Sequence, residues 1–315
     1  PGSDREQLTS LARTCSGIGD AIPTVLTMTV VPILGAGSSM ADYRIGFKWW
    51  ALIIAVVFVI SELVCVACVP ERPVACDEKP GKISDMFKAL FKNDQAMSVV
   101  VSIILVYTSL NICGNLVLYF FRFDVGNEGA YSIFAAVAFA AQVLVMMVIP
   151  LLRKRFSKSR LFISGFIIQI AGFAVILIMA FAKLYTPQSW YILCLPGILI
   201  YLGYGMLNVI MTIFLSDSVD YGEVMNGTRE ESVIFSMQTF TVKLASGVAV
   251  FLAGLVVDWI HLDTAAVVQT QDTLDALRMW MTIPSVILLI VGIFVFKRFY
   301  KLDHTRMEEI KSKLN

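Results

Sequence analysis

The stretch Ser216–Gly247, SDSVDYGEVMNGTREESVIFSMQTFTVKLASG, decides how the rest of the chain is read. A charged turn with Asp217, Asp220, Glu223, Arg229, Glu230 and Glu231 stands between two long apolar runs, and the second run carries Lys243. At about 1.5 Å per residue, Lys243 lies roughly 15 Å into that run, near the middle of a hydrocarbon core about 30 Å thick. A lysine at that depth costs at least about 2.5–3.5 kcal/mol on insertion scales, so it is expected to face a polar cavity with a partner. The chain therefore reads as an all-α polytopic membrane protein with a polar interior, and its function is sought there.

Composition agrees. The chain is 57% hydrophobic with a mean hydropathy of +0.77, above the roughly 45–50% apolar content of soluble domains. The net charge of +1 carries no signature of nucleic-acid binding. Cys15, Cys65, Cys68, Cys76, Cys113 and Cys194 are scattered, mostly within apolar runs. Cys65 and Cys68 have metal-like spacing, but no second pair or histidine accompanies them, so they read as structural. His261 and His304 stand alone. No metal site and no disulfide framework is expected. HExxH, GxSxG, P-loop and paired-carboxylate patterns are missing, so the chain does not read as an enzyme. It opens on PGSDREQL without an initiator Met or signal peptide and is read as lacking its beginning.

Eight segments meet the length criterion for a membrane helix: approximately 11–34, 46–69, 96–121, 130–150, 161–183, 190–215, 233–257 and 279–298. One set of connections carries Arg5, Arg72, Lys79, Lys82, Lys88, Lys92, the Arg153–Arg160 run, Arg229 and the basic tail from Lys297. The opposite set carries only Arg44, Arg122, Lys183 and Arg278. The positive-inside rule then puts both termini in the cytoplasm, and a plasma membrane is the expected location. The longest inner connection, Pro70–Asp94, contains KISDMFKALFK and reads as a short amphipathic helix on the membrane surface. The glycosylation-type triplet at Asn226–Thr228 falls on the same side and is read as fortuitous.

Polar residues at helical spacing separate two kinds of span. The first carries Arg13, Gly17, Asp20, Thr24 and Thr27, and the third carries Thr108, Asn111, Asn115 and Tyr119. The sixth carries Tyr201, Tyr204, Asn208 and Thr212, and the seventh Ser236, Thr239, Lys243, Ser246 and Gly247. A polar face in a membrane must meet water, substrate or another polar face. Any single Ser or Thr is read as interhelical glue. Four aligned stripes with Arg13, Asp20 and Lys243 are read as the wall of a central aqueous pathway. The fifth span has mainly Gln169 and the eighth mainly Thr282 and Ser285, so these two can face lipid all round.

The run from Asp217 to Gly247 resembles the helix 10–loop–helix 11 signature of the glycoside–pentoside–hexuronide:cation symporters, the melibiose permease-like family of the major facilitator superfamily. The matching residues are Asp217, Asp220, Tyr221, Gly222, Glu223, Arg229, Glu231, Ser236, Gln238, Thr239 and Lys243. DREQL (Asp4–Leu8) with Arg13, the triplet Asn93, Asp94, Gln95, LNICG with Asn111, and RFYKL (Arg298–Leu302) resemble other landmarks of the family. The resemblance implies eight helices, 5–12, of a twelve-helix fold. It divides the chain into 1–69, the end of an N-terminal bundle; 70–94, a connector; 95–298, a C-terminal bundle; and 299–315, a tail. It implies symport of a sugar, glycoside or hexuronide with Na⁺, H⁺ or Li⁺ by a monomer in the bilayer, without other cofactors.

Carried over by resemblance, Arg13, Asn111, Asn115, Tyr204, Asn208, Gln238, Thr239 and Lys243 are expected to bind substrate. Lys243 and Asp20 are expected to couple the cation. Arg5, Asp217, Asp220, Glu223 and Arg229 are expected to form a cytoplasmic gate. Asn208 stands where melibiose permease has an aromatic residue, and Asp20 where a small residue is expected; both departures bear on specificity. A lipid-transporting relative and a non-transporting membrane sensor are the alternatives.

Overall fold

A chain that crosses lipid must satisfy its own backbone hydrogen bonds, and long apolar runs do so as helices. The computed structural model describes residues 2–37, 40–68, 91–226, 231–264, 266, 268–302, 306–307 and 309–310. Among these are eight long helices: α1 (Gly2–Gly35), α2 (Met40–Cys68), α3 (Asp94–Tyr119), α4 (Ala130–Arg153), α5 (Lys158–Phe181), α6 (Cys194–Asn226), α7 (Glu231–Trp259) and α8 (Gln271–Phe299). Seven are long and apolar enough to cross a membrane, and α1 makes the eighth when its two parts, Gln7–Thr27 and Thr29–Gly35, count as one bent span. Pro32 lacks the N–H that would bond the carbonyl of residue 28 and its ring crowds that carbonyl, which places the bend there. The connector residues 69–90, Arg229 and the side chain of Arg5 lie outside the described residues.

The described chain forms two compact units, residues 1–17 with 83–315, and residues 18–82. In the first, α6 is the most deeply buried helix and packs against α5, α4 and α3, while α3 also packs against α7 and α8. The α5–α6 contact is set by glycines. A Cβ on Gly203 would stand 2.6 Å from the Gly165 carbonyl oxygen, and one on Gly172 would stand 2.7 Å from the Ile200 nitrogen. Small residues let membrane helices approach until their backbones touch. On the α3–α8 seam, Ser109 and Ser285 exchange hydrogen bonds, each hydroxyl donating to the other's carbonyl at 3.1 and 2.8 Å.

These contacts correct the expectation that the fifth and eighth spans face lipid all round. Gln169 of α5 and Thr282 and Ser285 of α8 are fully buried. A lone polar residue on an apolar helix gives no direction by itself, and here it marks the packed face.

The charged turn is also revised. Asp217, Asp220 and Glu223 are helical, because α6 continues to Asn226. Asp217 receives Lys158 of α5, whose Nζ lies 2.7 and 3.0 Å from its two carboxylate oxygens. Asn93 caps α3 by accepting from the Ala96 N–H, and its amide donates to the Ser218 carbonyl at 2.8 Å. Gly222 permits that tie, since a Cβ there would meet the Asn93 amide at 2.8 Å. Gln95 accepts from the Lys301 N–H at 2.7 Å. Leu302, Met307 and Ile310 are buried against Tyr221, Val224 and Tyr300, which closes this end of the bundle. Burial and the nearby Asp217 carboxylate push the Tyr300 phenol above its usual pKa.

In the second unit, α1 and α2 pack closely. A Cβ on Gly46 would lie 2.1 Å from the Val31 carbonyl oxygen, and Trp50 Nε1 donates to Thr27 Oγ1 at 2.8 Å. From Ala51 to Cys68, α2 is exposed on every side, Glu62 included.

Candidate functional site

Residues from α1, α6 and α7 meet at Thr212. Arg13 Nε donates to its hydroxyl at 3.1 Å, Gln238 Nε2 donates to it at 3.4 Å, and the hydroxyl donates to the Asn208 carbonyl at 3.1 Å. A hydroxyl offers one proton and two lone pairs, so all three are engaged. The Ser10 hydroxyl donates to the Met146 carbonyl at 2.5 Å and holds the start of α1 against α4.

One turn away, the Asn208 amide donates to Tyr107 Oη at 2.7 Å and to Tyr204 Oη at 3.3 Å. The two phenol rings meet edge to face with centroids 5.5 Å apart. The Asn208 side-chain oxygen, Oδ1, is buried without a hydrogen-bond partner among the described residues. An unmatched buried acceptor is unfavourable and is a place where a donor from a ligand or water would gain.

α3 and α7 carry a more open wall. Asn111 and Asn115 each donate back to the carbonyl four residues earlier at 2.7 Å, and Ser246 donates to Asn111 Oδ1 at 3.4 Å. Along α7, Ser236, Thr239, Lys243, Gly247, Gly254 and Asp258 are exposed, whereas Gln238, Thr241, Ala245, Ala249 and Ala253 are buried. Steps of three and four put the exposed set on one face. A Cβ placed on Gly114, Gly247 or Gly254 meets nothing within 4 Å. Lys243 has no hydrogen-bond or ion-pair partner among the described residues.

The predicted site residues thus divide. Arg13, Tyr204, Asn208 and Gln238 belong to a packed hydrogen-bonded cluster, while Asn111, Asn115, Thr239 and Lys243 lie along the open wall. Asp20 is exposed in the second unit. Asp217 and Asp220 are buried and Glu223 half-buried near the end of α6. Thr108 departs from its stripe. It is buried and lines an apolar groove of about 690 Å³ with Ile104, Ile112, Leu252, Trp280 and Pro284.

One cluster had no sequence signal. At the far end of the first unit, Arg278 of α8 makes a two-pronged pair with Asp124 at 2.9 and 2.5 Å and bonds Asp275 at 2.7 Å. Tyr185 also donates to Asp124. Burial, then the Asp124 charge, push the Tyr185 phenol above its usual pKa. Residues 154 positions apart give no local pattern to read.

Eight apolar helices, one wall of them carrying amides, hydroxyls and an ammonium, define a multi-pass helical membrane protein. The chain belongs to the MFS/sugar transport protein family, whose profile matches residues 2–304, and this is a family of transporters rather than enzymes. It is similar to the raffinose carrier protein of Pediococcus pentosaceus, 25% identical over 92% of this chain and 45% of that protein. It is also similar to the isoprimeverose transporter of Lactiplantibacillus pentosus, 25% identical over 95% of this chain and 61% of that one. A lactose permease of Lactobacillus delbrueckii subsp. bulgaricus is 24% identical over 94% of this chain and 47% of its own length. The chain therefore spans about half to three-fifths of the length of these curated relatives.

Proposed function

We propose that this chain is part of a secondary carrier that moves a sugar, glycoside or hexuronide across the plasma membrane in symport with Na⁺, H⁺ or Li⁺. The reading rests on one observation above all: Lys243, an ammonium without a partner among the described residues, stands on an open polar wall within an apolar span. Such a group is tolerable at that depth beside a wet cavity. The names of the similar carriers, for raffinose, isoprimeverose and lactose, support a sugar as the cargo.

In this reading, Asn111, Asn115, Thr239 and Lys243 meet solute directly. Tyr204, Asn208 and Gln238 set the wall's shape, and Arg13 is held ready through Thr212. Lys243 and Asp20 serve coupling, which is a reciprocal free energy between solute and cation sites. Alternating access moves two bundles around a midplane site. Asp217, Asp220 and Glu223 belong to a cytoplasmic gate, with Arg5 and Arg229 as its proposed cationic members. Lys158, already on Asp217, braces that gate from within its own bundle. The polar wall favours a hydroxylated solute over the lipid cargo of a related carrier.

The test is uptake of labelled raffinose, lactose and glucuronate by the complete protein in proteoliposomes, with and without each cation gradient. Gradient-driven accumulation of at least one sugar is expected. Equal leak with and without protein, for all solutes and cations, would reject the carrier reading.

A further inference from the structure

Asp258 lies about four turns along α7 from Lys243, roughly 22 Å at about 1.5 Å per residue. There α3 and α7 enclose a cleft of about 570 Å³, walled by Asn115 and Tyr119 on one side and by Val250, Gly254 and Asp258 on the other. That volume falls within the roughly 300–1,000 Å³ range of small-molecule sites. All of its walls belong to the first unit.

The walls offer more acceptors than donors. One Asn115 amide N–H is engaged by the Asn111 carbonyl, which leaves its second N–H to donate and its side-chain oxygen to accept. Asp258 is an exposed carboxylate with no hydrogen-bond or ion-pair partner among the described residues. It sits next to the last residue of α7, where the helix dipole disfavours an anion. Among the described residues, nothing pairs with that carboxylate. The Tyr119 ring lies nearly parallel to that of Phe123, at 7° with centroids 6.5 Å apart, and forms a flat aromatic ledge. Gly254 leaves open space above the α7 backbone. Acceptors, a ledge and a close backbone suit a ring that offers several hydroxyl donors and an apolar C–H face. A carboxylate-bearing sugar would meet the Asp258 charge at short range and be disfavoured.

We infer that this cleft is a peripheral binding station for a neutral, polyhydroxylated glycoside, distinct from the level of Lys243 and selective against sugar acids. The inference rests on the carrier reading and narrows its substrate class. Solute would meet Asn115, Tyr119 and Asp258 either before or after it meets Lys243.

The test places cysteines where they fit. Gly247→Cys and Gly254→Cys each add a side chain into open space, so neither disturbs packing. Alkylation by a polar maleimide is followed at each position by peptide mass spectrometry, which separates it from the native cysteines. Raffinose should slow labelling at position 254, and glucuronate should not. Adding Asp258→Asn should weaken protection by raffinose roughly tenfold in concentration, the loss of one charge-assisted hydrogen bond, and should let glucuronate begin to protect. Protection at 247 but not at 254 would overturn the station and leave the carrier reading standing. Equal protection at 254 by glucuronate would overturn the neutral class. Protection at neither position would overturn the station, while the uptake measurement decides the carrier reading separately.

Discussion

At the scale of single residues, Thr212 and Lys243 have opposite roles although both came from polar stripes. Thr212 is buried with its proton and both lone pairs engaged, so it fixes the positions of Arg13 and Gln238. Thr212→Val keeps the shape and removes the hydroxyl, leaving two donors without their acceptor. A loss of about 1–3 kcal/mol is expected, visible as a lower unfolding midpoint in detergent. Lys243 is exposed and has no partner among the described residues. Lys243→Ala should therefore leave stability within about 0.5 kcal/mol while sharply reducing cation-stimulated uptake by the complete protein. Unchanged uptake with unchanged cation dependence would remove Lys243 from the coupling role. Lys243 was legible because an ammonium in an apolar run is costly wherever the helix turns. Thr212 was half legible: its face could be read from spacing, but not that the face was closed by Arg13 and Gln238.

At the scale of elements, glycines give predictions of opposite sign. Gly203 lies where α6 meets α5, and an added Cβ would come within 2.6 Å of backbone. Gly203→Ala should separate the two helices and cost about 1–3 kcal/mol, the usual range for overpacking. Gly254 lies on the open wall of α7, where an added Cβ meets nothing. Gly254→Ala should stabilise by up to about 1 kcal/mol through helix propensity alone. Thermal unfolding of the two variants side by side checks both, and a stable Gly203→Ala protein would argue against the close α5–α6 crossing. Helix order and length were legible from hydropathy, though α6 outran its expected end by carrying Asp217, Asp220 and Glu223 in its last turns. Hydropathy reports where lipid ends, and a helix stops only where its backbone does.

At the scale of the whole molecule, the first unit is closed at both ends by polar ties between helices distant in sequence. At one end Asn93, Gln95 and Lys158 join α3, α5, α6 and the segment after α8. At the other, Arg278 and Asp124 form a pair with side chains only 4% and 2% exposed. Removing one partner of a buried pair leaves an uncompensated charge, so Asp124→Asn should cost about 3–5 kcal/mol. The double change Asp124→Leu with Arg278→Met should recover most of that in the same unfolding measurement. No recovery would mean that the pair positions its surroundings beyond its own charge balance. By itself the sequence determined the all-α membrane class, the eight spans, the four polar stripes and the family, because hydropathy, periodicity and the loop signature are local properties of the chain. Tertiary structure alone decided which polar residues bind one another and which stand open. The same Asn or Thr can bond its own helix, a neighbouring helix or a solute, and the choice is made by partners about 3 Å away, whose positions exist only once the helices have packed.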